Sequence, residues 1–242
     1  MTMWSSPALR GAVQGSSVLG DVSSIQELLV AWYKVHGRAF PWRSTTNAFH
    51  VLIAEKLLQQ TAAKPHVVEV YYRIAEIAES ACDLLKVTPA ELEHLMRPLG
   101  LRYRANELRL TSAAIVACFD GRVPSSLSEL LSLPGIGDYS ARAILCFAFD
   151  QPVPIVDVNV ARIFFRVLGF KGGMPKNPAR SKSLLLLAEK FLPYQHVKDF
   201  NWALIDLGSL VCTARNPRCS ECPLLQRCSF GRCNHEEVEY VA

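Results

Sequence analysis

Four of the eight cysteines fall within seventeen residues, as Cys212-x6-Cys219-x2-Cys222-x5-Cys228, in a stretch broken by Pro217 and Pro223. Thiolates at this spacing in an irregular loop can wrap one metal centre. Structural zinc sites usually pair two C-x2-C knuckles, and only one short knuckle is present here. Thiolate-only ligation equally suits a [4Fe–4S] cluster. The spacing favours iron–sulfur and leaves zinc as the other occupant. Cys233 is then an extra thiol outside the ligand set. No apolar signal segment occupies Met1 to Gly20, so a secreted disulfide framework is not expected. A reducing, intracellular compartment (cytoplasm, or nucleoid in a prokaryote) fits metal ligation better. Cys82, Cys118 and Cys146 lie in apolar helical stretches and are expected as buried free thiols.

A second signal is Leu133-Pro-Gly-Ile-Gly137 between two helical runs. Two glycines around one apolar residue let backbone approach a partner closely, and the amides of the next helix N-terminus favour an anion such as a nucleic-acid phosphate. Taken alone, the same pattern is also a plain helix–helix turn. The third signal is Val156-Asp157-Val158-Asn159-Val160. Asp157 is by default an N-cap, and an aspartate can also stabilise an electron-poor sugar carbon during glycosidic cleavage. Such a reaction wants a second carboxyl group as acid. Glu55, in the apolar run Leu52-Ile-Ala-Glu-Lys-Leu-Leu58, is the candidate. Burial there would raise its pKa into the proton-donating range, whereas an exposed helix face would leave it ordinary. Lys56, next to it on the same helix, is expected to point away.

These groups must be positioned by helices. Apolar residues recur at three- and four-residue spacing through Ile25–Val35, Phe49–Gln60, Val67–Ile77, Ala81–Leu85, Ala90–Met96, Tyr103–Phe119, Leu127–Leu131, Ala141–Phe149, Val158–Leu168, Ser183–Phe191 and Phe200–Val211. Alternating runs long enough for strands are nearly absent, so the fold class is all-α. The 242 residues are half hydrophobic and one-fifth charged, which excludes general disorder. Mean hydropathy is +0.15, yet no apolar run reaches the roughly 18–20 residues of a membrane span, so no membrane partner is expected. A net charge of +4 is compatible with nucleic acid without arguing for it. Arg162 and Arg166 are spaced to share one helix face, either DNA-facing or simply solvated.

Taken in order, Glu55-x-x-Leu58-Gln59-Gln60-Thr61, Leu-Pro-Gly-Ile-Gly, Val-Asp-x-Asn-Val and C-x6-C-x2-C-x5-C resemble the helix-hairpin-helix DNA glycosylases. The likeness is to the branch of endonuclease III, the MutY adenine glycosylases and the thymine-DNA mismatch glycosylases, and runs from Ile25 to Cys228. It implies an all-α, two-lobed fold: a flexible leader over 1–22, one helical lobe from 23–48 and 158–233 with the cluster loop, a helical barrel lobe over 49–157 with the hairpin, and a tail over 234–242. It also implies a [4Fe–4S] cluster on Cys212, Cys219, Cys222 and Cys228. The partner implied is double-stranded DNA with a mismatched or damaged base, bound by a monomer that flips the target nucleotide out. By motif, Asp157 is the catalytic aspartate, Gly135 and Gly137 touch phosphate, Asn159 orients Asp157 or a phosphate, and Gln59 and Gln60 wedge into the vacated stack. Without the motif the two glutamines are ordinary surface positions.

The resemblance also bears on chemistry and substrate. Members that cut the strand carry a lysine two residues after the second hairpin glycine, where a Schiff base forms. This chain has Tyr139 there, which implies a monofunctional glycosylase with water as nucleophile and Tyr139 against the flipped nucleotide. Tyr139, Leu101 in place of a tyrosine wedge, and only nine residues after Cys233 resemble the thymine-DNA mismatch enzymes. Gln59 and Gln60 resemble the MutY-like enzymes, which excise adenine opposite oxidised guanine. The expected reaction is excision of thymine or uracil opposite guanine, with MutY-like adenine excision as the alternative and a non-catalytic iron–sulfur DNA-binding module as a third reading.

Overall fold

The computed structural model describes residues 22–59, 61, 63–100 and 103–233. The leader and tail expectations therefore lie outside the described residues, as do Gln60 and Leu101. The described residues form α-helices and short 3-10 turns with no strand. We number the helices α1 (Val22–His36), α2 (Ala48–Leu58), α3 (Pro65–Ile77), α4 (Ala81–Lys86), α5 (Pro89–Met96), α6 (Tyr103–Phe119), α7 (Leu127–Ser132), α8 (Asp138–Phe149), α9 (Val158–Val167), α10 (Lys182–Lys190) and α11 (Val197–Leu210).

Their starts follow local chemistry. Asn47 accepts from the amides of Phe49 and His50 to begin α2, Thr88 and Glu91 form a reciprocal capping box on α5, and Ser126 and Ser181 cap α7 and α10. Proline sits in the first turn of α3 and α5, where no amide partner is lost. Helix α11 begins three residues before the periodicity places it. His196 adopts a left-handed conformation and its carbonyl accepts from Phe200, drawing polar Lys198 and Asp199 into the first turn.

The described residues divide into two compact units, 22–38 with 152–233 and 39–151. The sequence reading set these divisions after 48 and 157. Asp157, expected as the last residue of the barrel lobe, belongs to the first unit. In that unit α1, α9, α10 and α11 close a core that includes Leu29, Val160, Phe164, Leu187, Phe191 and Leu207. In the other unit α2 is the central helix: every residue from Phe49 to Leu57 is buried, with α8, α3 and α6 packed around it. Two of the three scattered cysteines depart from expectation. Cys146 is buried, but Cys82 and Cys118 are exposed. Cys82 lies on the outer side of a six-residue helix that buries Ala81 and Leu84, and Cys118 is in the last turn of α6, beyond the deepest contact at Ile115. No helix of the described residues is long and apolar enough to cross a membrane.

Candidate active site and cluster loop

Within unit 39–151, Glu55 sits on the enclosed helix α2 and is 8% exposed. No described residue bonds its carboxyl group. Burial alone pushes its pKa from 4.5 to about 8, because a carboxylate stripped of water is costly and the neutral acid is not. A carboxylic acid that stays protonated at neutral pH is chemically a proton donor. Lys56 points away from Glu55, toward Glu107 and the Gly135 carbonyl. It too is buried, because α2 has no solvent face, and desolvation lowers its pKa against the opposing pull of Glu107.

The hairpin follows α7. Ile136 donates to the Leu133 carbonyl at 3.2 Å, Pro134 and Gly135 occupy the two central positions, and Gly135 has φ +70°. This is the pattern of a type II turn, which needs glycine at its third residue. Gly137 then caps α8 with no side chain over the helix end. Its φ is −100°, and a Cβ placed there would meet nothing within 4 Å. Neither backbone strain nor internal packing asks for glycine at 137, so the face is bare toward solvent beside the open amides of α8. Tyr139, half-buried in the first turn of α8, stands next to this face. Gln59, expected beside a vacated stack, instead turns back to the hairpin, its Nε2 donating to the Gly135 carbonyl at 3.0 Å and lying 3.4 Å from Ser140 Oγ. Arg104, 2% exposed, holds the segment after α2 by donating to the Leu57 and Gln59 carbonyls and to Thr61 Oγ1.

In the first unit Asp157 caps α9, with Oδ1 accepting from the Val160 amide at 2.7 Å and Oδ2 from Asn159 Nδ2 at 2.8 Å. The segment leading into it is fixed by Asn201, which accepts from the Ile155 amide and donates to the Val153 carbonyl. Asn159 is oriented in turn by Arg162, whose Nη2 donates to Asn159 Oδ1 and the Gly208 carbonyl and whose Nε donates to the Cys212 carbonyl. Gly208 makes this approach of α9 and α11 possible: a Cβ there would come within 2.7 Å of Asn159 Cβ. Arg162 and Arg166 do share a face, but it turns inward. Arg162 is 8% exposed, and Arg166 donates to the Thr213 and Ala214 carbonyls and to Cys212 Sγ. Neither belongs to a DNA-facing or solvated stripe.

Cys212, Cys219, Cys222 and Cys228 line one pocket of about 290 Å³ including its mouth, together with Val211, Leu225, Phe230 and Arg166. The four thiols line this pocket with no histidine or carboxylate among them, which suits the thiolate-only ligation of an iron–sulfur cluster. Burial pushes the Cys222 thiol up to about 12 and raises Cys219 and Cys228, so these sulfurs become thiolates only against a bound cation. Cys233 is exposed.

Sequence reasoning missed Lys56, Arg104, Asn201 and Arg166 as builders of these sites. A lysine in an apolar helix was a visible signal, while nothing local marked the partners of Arg104 or Asn201. Residues 53–189 match the HhH-GPD superfamily of base excision DNA repair proteins. The chain belongs to this superfamily. As a helix-hairpin-helix glycosylase it carries a second match, residues 212–228, to the iron–sulfur binding domain of endonuclease III. It is 36% identical to the thymine-DNA glycosylase of Aeropyrum pernix over 87% of this chain and 96% of that protein. It is 37% identical to the adenine DNA glycosylase of Mycolicibacterium smegmatis over 81% of this chain and 66% of that protein. A solved thermostable thymine-DNA glycosylase superposes with a TM-score of 0.82 at 29% identity, covering 90% of this chain and all of that one. The chain is a DNA N-glycosylase with a [4Fe–4S] cluster. Purified protein is expected to be brown, with absorbance at about 400 nm. Cys222→Ser should abolish that band and lower the melting temperature, since the loop then loses its cross-link, and a colourless wild-type protein would contradict the assignment.

Proposed function

We propose that this glycosylase removes thymine or uracil opposite guanine by hydrolysing the N-glycosidic bond, and that it does not cut the strand. The observation that carries this reading is the likeness to a thymine-DNA glycosylase over that chain's whole length. The bare face of Gly137 and the amides of α8 take a backbone phosphate, with Gly135 shaping the turn. Gln60 and Leu101 wedge into the duplex as the target nucleotide leaves the stack. Glu55 supplies a proton or hydrogen bond to the departing base, and Tyr139 packs against the flipped nucleotide. Asp157, oriented by Asn159, stabilises positive charge at C1′ and positions the attacking water. Tyr139 has no amine to form an imine, so the abasic product stays intact. Cys212, Cys219, Cys222 and Cys228 would hold the cluster, which supplies a metal–thiolate cross-link that folds the loop.

Single-turnover base release from T:G, U:G, A:G and A:8-oxoguanine duplexes tests the substrate. Release from T:G and U:G supports the proposal. Adenine release would replace it with the second reading, which the similarity to adenine DNA glycosylases and the Gln59–Gln60 pair favour. No release from any duplex would favour a DNA-binding module.

A further inference from the structure

Lys56 has no part in the reaction, yet its side chain is only 1% exposed. A buried ammonium costs several kcal/mol relative to an apolar residue of similar length, and a single partner rarely offsets it. Its ion-pair partner Glu107 is 3.4 Å away and 38% exposed, too solvated to justify the burial. The other contact is more informative. Lys56 Nζ lies 3.2 Å from the carbonyl of Gly135, the residue at the tip of the hairpin turn. Gln59 Nε2 donates to that same oxygen at 3.0 Å. The neighbouring carbonyl, of Pro134, accepts from buried Thr111 Oγ1 at 2.7 Å. Both carbonyls at the tip are therefore fastened from inside the unit.

We infer that Lys56 and Gln59 form a two-donor latch on the Gly135 carbonyl that fixes the phosphate-binding turn to the end of α2. This rests on the reading of the hairpin as the DNA-backbone contact. Lys56 is a positioning residue: it touches no substrate and acts through the peptide plane of Gly135. Holding that plane sets the direction of the following backbone, through Ile136 to the bare Gly137 face. Because Gln59 ends α2 and Arg104 grips its carbonyl, the latch also holds the hairpin and the segment after α2 as one piece. DNA bound at the turn then meets that segment already in position.

The test uses fluorescence anisotropy with an undamaged duplex, so it does not depend on which base is excised. Lys56→Met keeps the unbranched stem and removes the donor and charge. We expect it to weaken binding about tenfold, the scale of one lost charge-assisted hydrogen bond, without lowering the melting temperature. Gln59→Ala should weaken binding by a similar factor, and the double variant by clearly less than the product, because both donors serve one acceptor. Gly137→Ala tests the hairpin itself and should also bind more weakly. Unchanged binding in Gly137→Ala would overturn the hairpin reading and the latch with it. Weakened Gly137→Ala beside unchanged Lys56→Met would overturn the latch alone. A lower melting temperature for Lys56→Met, or fully multiplicative losses, would make Lys56 merely structural and also overturn it.

Discussion

Asp157→Asn is expected to slow single-turnover base release by about 10²–10⁴-fold, the range seen when one essential catalytic group is removed. The substitution separates the two jobs this residue holds. Asparagine is as good an N-cap as aspartate, so an oxygen can still accept from Val160, now at 2.7 Å. The other position becomes an amide that faces Asn159 Nδ2, now 2.8 Å from a carboxylate oxygen. Asn159 would have to turn its own oxygen inward and give up Arg162, a cost of about 1 kcal/mol. Helix α9 is therefore expected to survive with a small drop in melting temperature, while the negative charge that stabilises a cationic sugar is gone. Full activity in this variant would reduce Asp157 to a helix cap.

Glu55→Gln carries the second large effect, and its signature is in the pH profile. With a pKa raised to about 8 by burial, wild-type Glu55 is protonated at neutral pH. Base release should hold level below that value and fall about tenfold per pH unit above it. The glutamine variant should be slower by about 10²-fold and lack that limb. Stability falls with pH as well, over a lower and wider window. The folded state keeps a proton that the unfolded chain releases near 4.5, so stability is fully present below that pH. It declines as pH rises and levels off above about 8. Glutamine has no proton to lose, so the melting temperature of Glu55→Gln relative to wild type should climb across this window. A rate limb that persists in the glutamine variant would remove Glu55 from the proton-transfer step.

Helix positions were legible where apolar spacing and capping residues agree: α5 opens on the Thr88–Glu91 capping box and ends at Met96, where the periodicity ends. The cluster loop was legible from one linear spacing. Positions decided by enclosure were not. The pattern of α2 could not show that the helix is buried on all sides, so it gives the direction of Lys56 relative to Glu55 but not the burial of its ammonium group. Arg162 and Arg166 carry a basic pattern that suits solvent or DNA, but the carbonyls of the turn after α11 recruit both. Gln59 lies in a motif, yet its side-chain direction is set by the Gly135 carbonyl, 76 residues away in sequence. Arginine and glutamine are long donors, and their partners come from tertiary structure rather than local sequence.

The most direct measurement follows both products from one T:G duplex under single-turnover conditions, free thymine and strand breaks, with and without alkali and with borohydride present. The expected result is free thymine equal to the enzyme-processed duplex, breaks only after alkali, and no protein–DNA adduct trapped by borohydride. Strand breaks without alkali together with a trapped adduct would mean that an amine, not water, attacks C1′, and would contradict the hydrolytic mechanism assigned to Asp157, Glu55 and Tyr139.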